Sequence, residues 1–264
     1  MEIAGFFAAL LIGISLGLIG GGGSILTIPV LVYLFQIQPS AATGYSLCIV
    51  GFSSLAGAYK NYRRNNINFK AALYFGITSI ITILLIRKLL LPLIPEHLFT
   101  IGTLAVSKSL ITMLLFAIVM IIASLNMIGK PVAEDQHPHD GSIHLPKALL
   151  RGVEVGMLTG LLGAGGGFVI IPVLVFSFHL RMKDAIGTSL LIIAMNSLVG
   201  FTGDLFHQHF DWALLIPLTL ISITGTFIGR KLGESIPGYK LKKGFGWFVL
   251  IMGIYIIIHE LFIK

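Results

Sequence analysis

Gly17-Leu18-Ile19-Gly20-Gly21-Gly22-Gly23-Ser24-Ile25-Leu26-Thr27-Ile28-Pro29 decides the fold, because four consecutive glycines interrupt an apolar run spanning residues 4–35 near its middle. A membrane-crossing helix needs about 20 apolar residues. This run exceeds that length and is broken where glycine withdraws helix propensity and permits a turn. Gly160-Leu161-Leu162-Gly163-Ala164-Gly165-Gly166-Gly167-Phe168-Val169-Ile170-Ile171-Pro172 does the same inside the run 148–178.

A shift of 143 positions lays one stretch on the other. Gly13, Gly17, Leu18, Gly20, Gly22 and Gly23 fall on Gly156, Gly160, Leu161, Gly163, Gly165 and Gly166, and Ile28 to Val32 on Ile171 to Val175. The register continues without a gap. Ala42, Gly44, Ser46 and Leu47 match Ala185, Gly187, Ser189 and Leu190; Ser54, Leu55 and Gly57 match Ser197, Leu198 and Gly200; Arg87-Lys88-Leu89 matches Arg230-Lys231-Leu232. The chain is an internal duplication.

Composition sets the solvent. The 264 residues are 56% hydrophobic and 11% charged, with a mean hydropathy of +0.95, against about 25% charge in soluble domains. This is a membrane protein. The single cysteine, Cys48, excludes a disulfide within the chain and reads as core filler. The 18 Lys and Arg against 11 Asp and Glu lie in gaps between apolar runs, so they orient the chain in a bilayer and do not mark a nucleic-acid surface. Met1-Glu2-Ile3 lacks the basic start of a secretory signal, so the first run is expected to stay in the mature protein.

Apolar runs cover about 4–35, 41–59, 70–91 and 98–127, then 148–178, 185–203, 212–232 and 244–263. Were each long run one kinked helix, Lys and Arg would divide eight against ten, which selects no orientation. If each long run turns at its glycines and leaves on the side it entered, the second half is inverted. Fourteen cations then face one side, leaving Arg87, Lys88, Lys108 and Lys264 opposite. The positive-inside rule selects this arrangement. The expected fold is therefore an all-α polytopic membrane helix bundle of two inverted repeats, each one glycine-broken re-entrant helical hairpin plus three transmembrane helices. Residues 1–128 form the first repeat, 129–147 a cytoplasmic linker and 148–264 the second repeat, with both termini outside. Inverted repeats with discontinuous helices are characteristic of secondary transporters that hold substrate near the midplane.

Half a long run, at 1.5 Å per residue, reaches about 22 Å, past the middle of a hydrocarbon core about 30 Å thick. Unpaired backbone at that depth requires an enclosed cavity. Half-helices starting near Ser24 and Gly167 would aim free N–H groups and positive dipole ends into it, a geometry that attracts anions. Candidate ligands are accordingly Gly21, Gly22, Gly23 and Ser24 in the first break and Gly165, Gly166 and Gly167 in the second. Thr43, Tyr45, Ser46 and Ser53 on one following run, with Thr188, Ser189 and Asn196 on the other, add neutral donors. Ser46 and Ser53, like Ser189 and Asn196, are seven apart and share a helix face. No membrane-embedded arginine or lysine is evident to neutralise the anion.

The paired glycine motifs, followed by Ala42-Thr43-Gly44-Tyr45-Ser46 and Ala185-Ile186-Gly187-Thr188-Ser189, resemble the TauE/SafE sulfite exporter family, also called the toluene sulfonate uptake permeases. The resemblance covers nearly the whole chain. It implies a transporter of sulfite, sulfonates, sulfoacetate or related sulfur-containing anions in a bacterial inner membrane. The expected partners are such an anion and membrane lipid; a coupling proton is compatible with the scheme, though no buried acid requires one, and oligomeric state is left open.

Competing readings are structural. Isolated glycines such as Gly57 and Gly200 are packing devices in membrane helices, and Ser or Thr hydroxyls often serve carbonyls of their own helix. Glu154 beside Arg151 reads as a surface ion pair, and Lys108 as a cation snorkelling to the outer surface. The group Asp204, His207, His209 and Asp211 reads as a solvated turn, and His137, His139 and His144 as part of the polar linker, so no metal or cofactor is expected. A passive anion channel is the alternative on the same bundle. An intramembrane serine protease is disfavoured, because the histidines, His259 included, fall in loops or at the C-terminus.

Overall fold

The computed structural model describes residues 2–21, 23–37, 39–86, 97–101, 104–129, 145–162, 167–205 and 210–259. Among these, the helices are α1 (Glu2–Ile19), α2 (Gly23–Tyr33), α3 (Pro39–Tyr62), α4 (Phe69–Leu85), α5 (Lys108–Gly129), α6 (Leu145–Leu162), α7 (Gly167–Ser177), α8 (Met182–Leu205), α9 (Trp212–Glu234) and α10 (Gly238–Ile258). An antiparallel ribbon of β1 (His97–Ile101) and β2 (Leu104–Ser107) precedes α5. The apolar run expected to be helical from residue 98 thus begins as a ribbon, and its helix starts only at Lys108. Apolar content there does not separate strand from helix.

The helical bundle follows the duplication closely. With the 143-residue shift, the bounds of α1 coincide with those of α6 and the bounds of α3 with those of α8, while Phe69 and Trp212 start α4 and α9. Even the turns repeat. Gln36 and His179 both adopt φ 53°, and the amides of Ile37 and Leu180 donate to the carbonyls of Leu31 and Leu174, each at 3.1 Å. Asn68 caps α4 by accepting from the Ala71 amide, and Asp211 caps α9 by accepting from those of Ala213 and Leu214.

Packing crosses between halves. α1 lies parallel to α9: a Cβ at Gly13 would sit 2.1 Å from the Ser222 carbonyl oxygen, at Gly17 2.0 Å from that of Thr226, and at Gly229 2.0 Å from that of Ile14. Only glycine admits that approach, which lets backbones pack where lipid gives no hydrophobic drive for helix association. α6 meets α4 in the matching way, through Gly152, Gly156 and Gly160. α3 and α8 run antiparallel, with Gly51 against Leu198 and Gly200 against Leu47. α2 folds back along α1, bringing the Phe35 ring against Gly5 and edge-on to Phe6, at 6.2 Å between centroids.

The core groups Leu16, Val50, Phe75, Ile171, Leu174, Leu190 and Phe245. Cys48 belongs to a second cluster with Tyr45, Phe201 and Leu215. Large apolar side chains also cover the outside, among them Phe7, Ile77, Ile81, Leu220, Ile251 and Ile254. Four described helices are long and apolar enough to cross a membrane: Ala41–Tyr62, Met182–Leu205, Trp212–Glu234 and Tyr239–Ile258. So much exposed apolar surface is a lipid-facing belt.

The α1–α9 contact makes a testable prediction. Gly229→Leu drives a side chain into the Ile14 backbone and is expected to cost more than about 3 kcal/mol, at or beyond the usual range for overpacking. Gly244→Ala, on an exposed stretch of α10 with nothing within 4 Å of its Cβ position, leaves stability unchanged or slightly raised. Thermal unfolding of the detergent-solubilised protein reads both.

Candidate functional site

The two glycine breaks meet. Gly20 turns the chain at φ +79°, after its amide closes α1 on the Leu16 carbonyl at 2.7 Å. Next to it, a Cβ at Gly21 would lie 2.3 Å from the Gly167 carbonyl oxygen, and one at Gly167 would lie 3.1 Å from both Cα and O of Gly21. The start of α7 therefore rests against the backbone that leads into α2. Gly167 abuts Ile193, about 16 Å along α8 from Met182 at 1.5 Å per residue and near the middle of that helix. Gly22, Gly165 and Gly166 lie outside the described residues.

The hydroxyls around the break hold backbone oxygens. Ser24 donates to the Gly21 carbonyl at 2.9 Å and Thr27 to that of Gly23 at 2.8 Å. Ser189, reaching over from α8, donates to the Gly20 carbonyl at 3.1 Å and to that of Ile186 at 2.9 Å. The Ser24 and Ser189 hydroxyls thus serve the carbonyls of Gly21 and Gly20 in the break itself, whereas Thr27 bonds back within α2.

Farther along α3 and α8 a second polar group is buried. Ser53 donates to Ser222 at 3.0 Å, and Asn196 Nδ2 donates to Ser79 at 3.1 Å. Under the 143-residue shift these are one interaction made twice, since Ser53 matches Asn196 and Ser79 matches Ser222. Beside them the Oγ atoms of Ser54 and Ser197, Asn196 Oδ1 and Thr159 Oγ1 are buried with no hydrogen-bond partner in the protein. Ser54 and Ser197 are themselves equivalent. Buried polar atoms left unpaired cost free energy and mark places where water or a ligand would bind.

The remaining candidates spread out. The Tyr45 hydroxyl accepts from the Asp211 amide at 2.6 Å, tying the start of α3 to the cap of α9. The Thr188 hydroxyl accepts from the Asn68 amide at 3.0 Å before α4. Ser46 is buried on α3 and Thr43 half-buried near its start.

One buried charge escaped the sequence. Arg230, near the end of α9, is only 6% exposed, so a cation does enter the bundle. It lines a partly open cavity of about 130 Å³ with Gly17, Asn61, Arg64, Lys183 and Glu234. Arg64 Nη1 pairs with Glu234 Oε1 at 2.7 Å, while Arg230 Nη2 stands 3.5 Å from that oxygen. Hydropathy hid it: Arg230 lies beside Lys231 at the end of an apolar run, where cations read as loop markers. Its burial comes from the approach of α1, since a Cβ at Gly17 would lie 2.9 Å from the Arg230 amide nitrogen.

Elsewhere Arg151 pairs with Glu154 at 2.5 Å on an exposed face. Among the described residues no group of three metal-ligating side chains gathers; His137, His139, His144, His207 and His209 lie outside them.

A lipid-facing helix bundle with discontinuous helices and buried polar groups at their meeting point is the build of a membrane transporter, and comparison with known proteins agrees. The family described as Sulfite exporter TauE/SafE matches residues 5–256, and the chain belongs to it. Among similar proteins, a probable membrane transporter protein of Xylella fastidiosa is 29% identical over 252 residues, covering 94% of this chain and 91% of the relative. The probable membrane transporter protein YdhB of Bacillus subtilis is 29% identical over 235 residues, 88% of this chain and 91% of its own length. YjnA of the same organism, likewise a probable membrane transporter protein, is 27% identical over 264 residues, 97% and 100% of the two chains.

The contact between breaks predicts that Gly21→Ala, whose methyl meets the Gly167 carbonyl, lowers transport at least tenfold while the protein still reaches the membrane. Asn196→Ala removes the bond to Ser79 and is expected to raise the half-saturating substrate concentration several-fold. Uptake kinetics in whole cells, normalised to protein in the membrane fraction, separate these outcomes.

Proposed function

We propose that the protein is a secondary transporter of a small sulfur-containing anion of the sulfite, sulfonate or sulfoacetate class, working by alternating access. Residues 1–128 and 148–264 act as two repeats of opposite orientation joined by the cytoplasmic linker 129–147. Each contributes one re-entrant hairpin, α1–α2 and α6–α7, and both termini lie outside a bacterial inner membrane. In support, Phe35 returns to Gly5, the equivalent helices α3 and α8 run antiparallel, and the cations Lys60, Arg63, Arg64, Arg181, Lys183, Arg230 and Lys231 gather at one end of the helices.

The observation that carries this reading is the contact of Gly21 with Gly167, beside the middle of α8. Two helices, α2 and α7, begin where the halves touch. Their leading amides and positive dipole ends favour an anion there, and glycine lets its oxygens approach the backbone without meeting a Cβ. Gly21, Gly22, Gly23, Ser24, Gly165, Gly166 and Gly167 would form this cradle, with Ser46, Ser53, Ser189 and Asn196 as neutral donors along α3 and α8. Tyr45, Thr43 and Thr188 would shape its surroundings.

Movement follows from the packing. α1 with α9, and α4 with α6, are held backbone to backbone and would move as units, with α3 against α8 forming the main surface between them. Rocking one pair against the other would open the anion to one face at a time. No carboxylate is assigned to proton coupling.

Purified protein in proteoliposomes tests this with labelled sulfite, taurine, sulfoacetate and thiosulfate. Saturable uptake of at least one, accelerated by the same anion on the far side, is the expected result. Absence of flux for all four would refute the assignment, and single-channel currents would replace the carrier with a channel.

A further inference from the structure

Arg230 is buried on α9, yet its Nη1 has no hydrogen-bond partner in the protein. Its Nη2 reaches only the far side of an oxygen, Glu234 Oε1, that Arg64 already holds at 2.7 Å. A guanidinium carries five donors and cannot shed its charge, so burial with one shared, distant acceptor leaves it under-compensated. The protein keeps this costly group at the wall of a cavity rather than in a packed core.

That cavity is suited to an anion. Arg64, Lys183 and Arg230 face a single carboxylate, Glu234, and the Lys183 ammonium donates to the Glu234 backbone carbonyl at 3.3 Å, so the cavity carries net positive charge. Its volume of about 130 Å³ accommodates an ion of a few heavy atoms. It also reaches Gly17 on α1 and Ile186 on α8. Ile186 is the residue against which Gly20 packs, a Cβ there lying 2.9 Å away. The cavity therefore opens on the basic side of the first glycine break.

We propose that this cavity is a second anion-binding station, in which a small oxyanion docks on Arg230 and Glu234 acts as a tethered competitor that the arriving anion displaces onto Arg64. A planar fork of donors suits two oxygens of one sulfite or sulfonate group, and the exchange keeps both arginines paired before and after binding. Its place on a translocation route rests on the carrier reading above; the binding itself does not.

The test is equilibrium binding to the full-length protein in detergent at constant ionic strength, read as thermal stabilisation by sulfite and by methanesulfonate, with no transport required. Wild type should be stabilised saturably by one or both. Arg230→Gln should weaken the apparent affinity about tenfold or more, the scale of a charge-assisted contact, whereas Glu234→Gln should strengthen it several-fold by removing the competitor. The opposed signs exclude a merely structural role, in which both variants would lose stability without a change in affinity. If Arg230→Gln does not fold, Arg230→Lys serves, expected to bind more weakly than wild type because an ammonium lacks the fork. Unchanged affinity in the Arg230 variants, or in Glu234→Gln, overturns the proposal, as does the absence of stabilisation by either anion. A lipid phosphate shares the chemistry: stabilisation by phosphatidylglycerol alone, with none by free sulfite or methanesulfonate, also overturns it. Loss of flux with this binding pattern intact would instead count against the carrier reading.

Discussion

Backbone that leaves a helix inside a membrane must find its partners within the protein, and that constraint organises this molecule. Lipid cannot satisfy an unpaired carbonyl or amide. The carbonyls of Gly20 and Gly21 accept from the hydroxyls of Ser189 and Ser24. The break is tolerated because these hydroxyls surround it, and because the other half of the chain closes it off at Gly167.

Glycine serves two separate purposes. At Gly20 it supplies a positive φ and turns the chain. At Gly13, Gly17, Gly225 and Gly229 it removes a side chain so that α1 and α9 touch through their backbones. The second use makes closely packed helix pairs, each drawn from both repeats, and the first turns the chain from α1 into α2. The buried polar contacts echo this division: Ser53 with Ser222 and Asn196 with Ser79 fix α3 to α9 and α8 to α4, while Ser54 and Ser197 beside them stay unpaired.

Much of this was legible in residue order. The shift of 143 matched glycines and small polar residues that the structure sets in equivalent helices, because those residues mark backbone geometry that an inexact apolar pattern does not. The ribbon before α5 was not legible, since residues 98–107 are apolar in either conformation. Nor was the division of labour among the hydroxyls: whether Ser24 faces a ligand or the Gly21 carbonyl depends on a rotamer, and sequence spacing places only the Cβ. The burial of Arg230 was not legible for a related reason. Position at the end of an apolar run suggests a loop cation, but the close approach of α1 at Gly17 covers that turn of α9.

Everything in this account depends on the chain reversing at its first glycine break, and sidedness measures that directly. With Cys48 replaced by alanine, single cysteines at Glu2, Gln36, Trp212 and Asn65 would be labelled by a membrane-impermeant thiol reagent in intact and in opened cells. Reversal predicts that positions 2, 36 and 212 react from one face and position 65 from the other. Labelling of positions 2 and 36 from opposite faces would contradict it.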